Sequence, residues 1–391
     1  MPAPKRTSIE NGKRRHTGRL RLLALAVGLL CGQAEAEVLR IGVAQAGGGD
    51  PLTFSGSSMS ILRNQQLLEK AFAGTDTEVQ WFFFKGAGPA INEALSNRQL
   101  DFAYEGDVPQ VVARANGLDT KLLAPVGVRS KLYLAVPKGS DIKTLEDLKG
   151  KKVALFRGTN NQLVAINLLA AHGLTERDLK VINLDTGSTL AALASKGVDA
   201  GFGGRELFKL RDQGLVDLIY DNPDNDARFT RQTALVVRSD YEKEHPQQTQ
   251  KVVDTLVQAA KWISDDANRA AVFNEWAKTG EPLTSFQADF NNVALRDVAS
   301  PLVDDFVRGR YALVAQQALD EKLIRRPVSI DGWFDTHYLD HALQTQGLAT
   351  YWTAYAADGK QAAVATTDAP GQGASIAQAS RPASGQGTAK E

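Results

Sequence analysis

Four short loops rich in glycine and small polar residues are the parts of this sequence best suited to chemistry. They read QAGGGDPLTFSGSS at residues 45–58, KGAGP at 85–89, EGDVP at 105–109 and RGTNN at 157–161. Each loop leads into a predicted helix, where free N–H groups and the positive end of the helix dipole favour anions. Glycine also lets a ligand approach the backbone closely. Together the loops predict an anion-binding cleft, with no catalytic residue, cofactor or metal.

Ordinary helix capping explains any one of these loops, because glycine, serine, threonine and asparagine are common where helices begin. The prediction of a ligand-binding site depends instead on where the four loops lie in the sheets. In open α/β sheets, ligands bind where the carboxyl ends of strands lead into helices. All four loops are predicted to lie at such ends, on the same edge of two neighbouring lobes.

Short apolar runs alternate with amphipathic stretches from Val38 onward, which is typical of mostly parallel sheets with helical crossovers. Extended runs at residues 131–136 and 233–238 are interpreted as two crossings between lobes. The second lobe, residues 137–232, is therefore predicted to be inserted into the first, residues 37–136 plus 233–355. Patterns after Tyr241 predict a helical C-terminal part. The predicted fold class is α/β, with two lobes.

The two ends of the chain are expected to lie outside this fold. Residues 1–36 join basic residues to a short apolar run and two small residues, the pattern of a cleaved signal peptide. A lipid anchor at Cys31 is less favoured, because Leu30 stands where a small residue is required. This predicts a periplasmic protein. Residues 361–391 contain almost no bulky apolar side chain, which predicts a disordered tail.

Charge and sulfur content narrow the class of protein. Without residues 1–36, 38 basic residues stand against 43 acidic ones, which argues against nucleic acid or an anionic membrane as the partner. The same segment holds the only cysteine, so disulfides and thiol chemistry are excluded from the rest of the chain. Met59 is then the single methionine. Two explanations stay open: general avoidance of free thiols in exported proteins, or selection for low sulfur content during sulfur starvation.

Several stretches resemble the periplasmic alkanesulfonate, taurine and nitrate binding proteins of ABC importers. They are LRIGV at 39–43, LDFAYEGD at 100–107, VPKGSDIKTLEDLKGKKVALFRGT at 136–159 and GVDAGF at 197–202. Family members typically read D-F-x-x-x-G-D-x-P across the second stretch. The resemblance implies a two-lobed type II periplasmic binding protein fold that closes about a two-strand hinge. It also implies delivery of a small ligand to the permease and ATPase subunits of an importer by a monomeric binding protein.

The resemblance also implies which residues contact the ligand. Carried onto this chain, they are Ser57, Ser58, Gly88, Gly106, Asp107, Thr159 and Asn160.

One stretch departs from the family pattern. Where members usually carry Trp-Asp-Pro, this chain has Gly203, Gly204, Arg205 and Glu206. Losing the indole enlarges the predicted pocket, and the Arg205 guanidinium could bind a sulfonate or sulfate group with two N–H donors. The alternative is that Arg205 pairs with Glu206 or Asp212 on a solvated helix face.

The expected function is that of a binding protein for an organic sulfonate, aliphatic or aryl, or a sulfate ester, taken up as a sulfur source. Taurine and nitrate remain alternatives within the family. An enzyme on the same fold, of the thiamine-precursor synthesis type, is the rival from another class. His337 and His341 have metal-ligand spacing on a predicted helix. No further ligand supports a metal site there, so an exposed helix is expected.

Overall fold

The computed structural model describes residues 37–223 and 226–362. The predicted signal peptide, Cys31 and residues 363–391 of the predicted tail lie outside the described residues. The first residues of that tail, Gln361 and Ala362, are described, and they pair with Tyr355 and Ala354 in a short hairpin.

Two five-stranded sheets form the framework. In chain order the strands are β1 (Glu37–Val43), β2 (Thr77–Phe83), β3 (Phe102–Gly106), β4 (Thr120–Lys131), β5 (Tyr133–Pro137), β6 (Lys152–Ala154), β7 (Lys180–Ile182), β8 (Ala200–Gly203), β9 (Val216–Tyr220) and β10 (Thr230–Arg238). The first sheet has the order β2-β1-β3-β10-β4 and the second β7-β6-β8-β5-β9. In each sheet three strands are parallel, and one antiparallel strand lies between them and the edge.

Helices connect the strands and cover the sheets. They are α1 (Ser58–Asn64), α2 (Leu67–Ala71), α3 (Ala87–Ser96), α4 (Asp107–Ala115), α5 (Asn160–Ala171), α6 (Thr186–Ala194), α7 (Leu207–Asp212), α8 (Ser239–Glu244), α9 (Pro246–Ser264), α10 (Arg269–Ala277), α11 (Leu283–Asp289), α12 (Leu295–Val298), α13 (Asp305–Asp320) and α14 (His337–Thr345). From α8 to α14 no strand intervenes among the described residues. The predicted α/β fold class with a helical C-terminal part is confirmed.

The first crossing between the sheets is shorter than the sequence indicates. The chain leaves the first sheet at Lys131 and enters the second at Tyr133, so Leu132 alone joins them. The predicted crossing at 131–136 mostly coincides with β5, which pairs with β8 and β9 inside the second sheet. An apolar run has the same composition whether it crosses between sheets or belongs to one. The return crossing lies between Tyr220 and Thr230.

Apolar layers cover both faces of each sheet, because successive side chains of a strand point in opposite directions. On β10, Leu235 and Val237 contact one layer of the first lobe, whereas Ala234 and Val236 contact the other. On β5 of the second lobe, Leu134 and Tyr133 are divided in the same way. The loops at the carboxyl ends of the strands are thus carried on rigid, doubly covered sheets.

A buried carboxylate ties the first sheet together at the end away from these loops. Asp101, just before β3, is 0% exposed. Its Oδ2 accepts hydrogen bonds from Nε and the backbone N–H of Arg40, at 3.0 and 2.9 Å. Arg238 Nη1 lies 3.7 Å from Oδ1. A single carboxylate therefore joins the beginnings of β1 and β3 to the end of β10.

We expect Asp101→Ala to lower the free energy of unfolding by about 2 to 3 kcal/mol, because the charge-assisted hydrogen bonds from Arg40 to a fully buried carboxylate are lost. Chemical denaturation measures this change. Asp141→Ala, which removes an exposed carboxylate, is the matched control and should change stability by less than about 0.5 kcal/mol. Equal stabilities for the two variants would contradict the structural role of Asp101.

Candidate ligand-binding cleft

A cavity of about 410 Å³ lies between the two sheets. This volume falls within the range of about 300 to 1,000 Å³ that is typical of small-molecule sites. Both lobes contribute to its wall, and all four loops singled out in the sequence are represented. The lining residues from these loops include Gln45, Ser55, Gly56, Lys85, Gly88, Glu105, Gly106, Thr159 and Asn160.

Five of the eight predicted contact residues line the cavity. They are Gly88, Gly106, Thr159, Asn160 and Arg205. Direct ligand contact by each of them stays a prediction.

Three of the helix starts facing the cavity lack side-chain caps. The N-cap residues of α3, α4 and α5 are Gly86, Gly106 and Thr159, and none of them places a side chain on the first amides of its helix. Thr159 Oγ1 instead donates to the Phe156 carbonyl at 2.7 Å. Ordinary side-chain capping therefore does not account for these three loops. At α3 and α5, the lack of a side-chain cap leaves backbone N–H groups available to a ligand.

The fourth loop does cap its helix, and this takes two predicted contact residues away from the cavity. Ser57 Oγ accepts a hydrogen bond from the Ser60 backbone N–H at 3.2 Å, in a capping box. Ser58 is 0% exposed, and its Oγ donates to the Val126 carbonyl at 3.2 Å. Neither serine lines the cavity. The loop reaches it through Ser55 and Gly56.

Asp107 is also outside the cavity lining, although it begins α4. Its carboxylate accepts hydrogen bonds from the backbone N–H groups of Val108 and Gln232, at 2.8 and 3.2 Å. Burial raises the pKa of Asp107 to about 6, although Arg310 and these two N–H groups act to lower it. The side chain holds α4 against β10 beneath the cavity.

Arg205 extends from the second lobe to the first. Its Nη2 donates to Ser55 Oγ at 2.5 Å, and its Nε donates to Glu281 Oε2 at 2.8 Å. The guanidinium also lies 4.9 Å from the ring centre of Phe286. Arg205 forms no hydrogen bond with Glu206 or Asp212: Glu206 Oε1 accepts from the Gly204 backbone N–H at 2.7 Å, and Asp212 pairs with Arg211. The alternative that Arg205 pairs with Glu206 or Asp212 on a solvated helix face is therefore wrong. Arg205 instead joins the two lobes.

A second contact reinforces this connection. Tyr133 on β5 donates to Asp289 Oδ1 at 2.5 Å, and Arg205 Nη1 lies 3.8 Å from Oδ2 of the same carboxylate. We call Ser55, Tyr133, Arg205, Glu281 and Asp289 the interlobe bridge. Burial acts to lower the pKa of Arg205, but the carboxylates of Glu281 and Asp289 outweigh it and hold that pKa above its ordinary value.

Glycine is required where the first lobe meets Arg205. Gly56 has φ of +84°, and a Cβ atom there would lie 2.6 Å from Arg205 Nη1. Any larger residue would combine an unfavourable backbone conformation with a steric clash.

Among the charged lining residues missing from the predicted contacts, two carry a buried atom without a hydrogen-bond partner among the described residues. Arg231 donates to Asn161 Oδ1 and to the Lys131 carbonyl, both at 2.6 Å, while its buried Nε has no hydrogen-bond partner among the described residues. Glu105 has an equally unpartnered Oε2. The only sequence signals were the place of Arg231 just before the predicted return crossing and the place of Glu105 inside a candidate loop.

The histidine pair takes no part in the cleft. His337 and His341 are exposed on α14, and His337 Nδ1 lies 2.5 Å from Asp335 Oδ1. Within residues 37–223 and 226–362 there is no group of three His, Cys, Asp or Glu side chains placed to hold a metal.

We expect Arg205→Ala to weaken ligand binding about ten- to hundredfold, because loss of the guanidinium removes about 1.5 to 3 kcal/mol of interlobe hydrogen bonding. Arg205→Lys should restore only part of the affinity, since an ammonium lacks the planar fork. Calorimetry measures both effects. Arg211→Ala, on α7 just after Arg205, is the control and should bind normally.

Glu281→Gln separates the bridge from direct ligand contact by Arg205. If Arg205 acts through the bridge, this change should also weaken binding. If Arg205 holds the ligand itself, loss of a competing carboxylate should leave affinity equal or higher. Normal affinity in both Arg205→Ala and Glu281→Gln would show that the interlobe bridge plays no part in ligand binding.

Comparison with known proteins shows what this chain is similar to. The family described as NMT1/THI5 like matches residues 83–270. The putative aliphatic sulfonates-binding protein of Escherichia coli strain K12 is 30% identical over 180 residues, which cover 46% of this chain and 53% of that protein. The chain thus spans about half the length of this curated relative.

Solved structures extend the likeness over most of the chain. The putative periplasmic sulfonate-binding protein SsuA of Methylobacillus flagellatus KT gives a TM-score of 0.69 at 29% identity, covering 82% of this chain and 98% of that one. The alkanesulfonate-binding protein SsuA of Xanthomonas axonopodis pv. citri, bound to MOPS, gives 0.65 at 25% identity, covering 78% and 99%. The chain is thus similar to the NMT1/THI5-like family over residues 83–270, and to solved sulfonate-binding proteins over most of its length.

Proposed function

We propose that this protein is the periplasmic substrate-binding component of an ABC importer and captures an organic sulfonate or sulfate ester as a sulfur source. The observation that carries the proposal is the cleft itself. Uncapped helix starts from both lobes, at α3 and α5, face one cavity that also holds arginine side chains. Such a site favours an anion that has several acceptor oxygens.

The cavity also suits the organic part of such a ligand. Its wall includes the apolar side chains of Phe54, Phe156, Phe290 and Val293. Nitrate would leave most of a 410 Å³ space unfilled. A sulfonate with an aliphatic or aromatic body fills it better, and the solved relative from Xanthomonas is bound to MOPS, itself a sulfonate. Taurine, which is small, fits the volume less well.

An enzyme on the same fold is the alternative from another class. Acid–base catalysis needs titratable groups free to reach the ligand. Of the three candidate groups, Asp107 is held by two backbone N–H groups outside the cavity, and Arg205 is committed to the interlobe bridge. Glu105 alone keeps a free carboxyl oxygen at the wall, and one such group does not make an acid–base pair. The relatives named above are binding proteins. We therefore propose binding without turnover.

Delivery to membrane subunits is part of the same proposal. No helix among the described residues is long and apolar enough to cross a membrane. A permease and an ATPase on other chains would then carry the ligand inward. Export through the predicted signal peptide would place the protein in the periplasm, as a monomer.

A thermal-shift panel tests the ligand class. A ligand at a hundred times its dissociation constant should stabilise the native protein by about 2.7 kcal/mol. We expect stabilisation by alkane- or arylsulfonates or sulfate esters, little by taurine or nitrate, and no change in the recovered ligand by mass spectrometry. Stabilisation by nitrate alone would contradict the proposal, and chemical conversion of the ligand would indicate an enzyme.

Closure on the ligand is the second expectation. The lobes are joined covalently only at Leu132 and between Tyr220 and Thr230, so rotation about these two segments opens the cleft. Small-angle scattering should show a smaller radius of gyration with saturating ligand. If calorimetry shows binding and the radius does not change, this hinge is wrong.

A further inference from the structure

Glu105 is a buried carboxyl group at the wall of the cavity. It is the penultimate residue of β3 and is 1% exposed. It lines the cavity, and its Oε2 has no hydrogen-bond partner among the described residues. Glu105 also forms no ion pair with any described side chain. A buried polar atom left in this state is rare in folded proteins and calls for a partner absent from the chain itself.

The surrounding backbone is shaped to leave this carboxyl room. A Cβ atom on Gly88, at the start of α3, would lie 2.3 Å from the Pro109 side chain and 3.3 Å from Glu105 Oε2. Glycine at position 88 therefore keeps the helix start close to the carboxyl. The family pattern D-F-x-x-x-G-D-x-P leaves position 105 variable, so Glu105 belongs to what this chain adds to the shared loop.

Among the described residues, no cation is placed to form an ion pair with an ionised Glu105. The titratable and charged groups around it are Tyr104 on β3, Asp107 at the start of α4, Arg310 and Tyr311 on α13, Arg231 on β10 and Lys85 ahead of α3. Arg310 and Arg231 act on the carboxylate of Asp107. Burial raises the pKa of Glu105 well above its ordinary value.

The charge of the cavity depends on the state of this one group. Besides Glu105, the lining carries five cationic and four anionic side chains; the cations are Lys85, Arg129, Lys131, Arg205 and Arg231, and the anions are Asp185, Glu206, Glu281 and Asp289. A neutral Glu105 leaves one excess positive charge, which matches a monoanion. An ionised Glu105 would cancel that charge and match a zwitterion.

We propose that Glu105 is a specificity-determining residue: its neutral carboxyl donates a hydrogen bond to an acceptor oxygen of the bound anion and makes the site prefer monoanionic sulfonates to zwitterionic aminosulfonates. The proposal rests on the proposed function. A carboxylic acid is a donor only while protonated. Ligand capture is therefore coupled to the protonation of a group on the cavity wall.

The coupling has a definite sign. Affinity is fully present below the pKa of Glu105 in the ligand-free protein and falls as pH rises through it, by up to about tenfold per pH unit. Calorimetry with 1-hexanesulfonate and benzenesulfonate from pH 5 to 9 measures this, because neither sulfonate titrates in that range. Taurine is the zwitterionic comparison.

Glu105→Gln keeps a donor and removes the titration of this group, so its affinity for the same sulfonates should not vary with pH above about 7, where the nearby Asp107, with a pKa of about 6, is ionised throughout. Glu93→Gln, an exposed change on α3, is the matched control and should keep the wild-type profile. Should Glu105→Gln not fold, wild-type protein alone suffices. Calorimetry above the pKa in two buffers of different ionisation enthalpy should show uptake of close to one proton on binding.

The outcomes are separable. Binding without pH dependence or proton uptake overturns the role of Glu105 and leaves the proposed function intact. Tighter binding of taurine than of either monoanion, strengthening with pH, shows an ionised Glu105 paired with an ammonium and also overturns it. Absence of binding by every sulfonate at every pH overturns both proposals.

Discussion

The antiparallel pairing of β4 with β10 is the constraint on which the rest of this structure depends. These neighbouring strands carry the chain out to the second lobe and back, and their continuations β5 and β9 also pair side by side. Both crossings therefore lie next to each other. Two adjacent connections permit rotation of one sheet against the other, and they keep the carboxyl ends of both sets of parallel strands facing one cleft.

Polar groups in the loops around that cleft divide into those fixed by the fold and those left open. Ser57, Ser58 and Asp107, outside the cavity lining, are saturated by nearby backbone groups and position helices. Arg231 and Glu105 line the cavity, and each keeps a buried atom without a hydrogen-bond partner among the described residues. The cost of burying an unpaired polar atom is about 1 to 3 kcal/mol, and a ligand that supplies the missing partner recovers it. On the wall of this cavity, buried polar atoms without a hydrogen-bond partner therefore indicate where the ligand binds better than charge alone does.

Much of the fold could be predicted from the sequence, because periodic apolar patterns report burial directly. The candidate site was harder to predict than the fold. Glycine-rich helix starts at Gly88, Gly106 and Thr159 were recognisable, since their chemistry is local. The partners of Arg205 were not, because Ser55 and Glu281 lie 150 and 76 residues away along the chain. Asp107 and Ser58 were predicted to contact the ligand but lie outside the cavity lining, for the same reason. Their orientation is set by Gln232 and Val126, which only the folded sheet brings near.

The interlobe bridge has a consequence for kinetics. Its charged and hydroxyl contacts join residues of the two lobes directly. Opening of the cleft must therefore separate Arg205 from Glu281 before a solute can enter or leave. Association would then be limited by the opening rate and not by diffusion, and release would pass through the same step. Residence time in the cleft is thereby set partly by residues that need never touch the cargo.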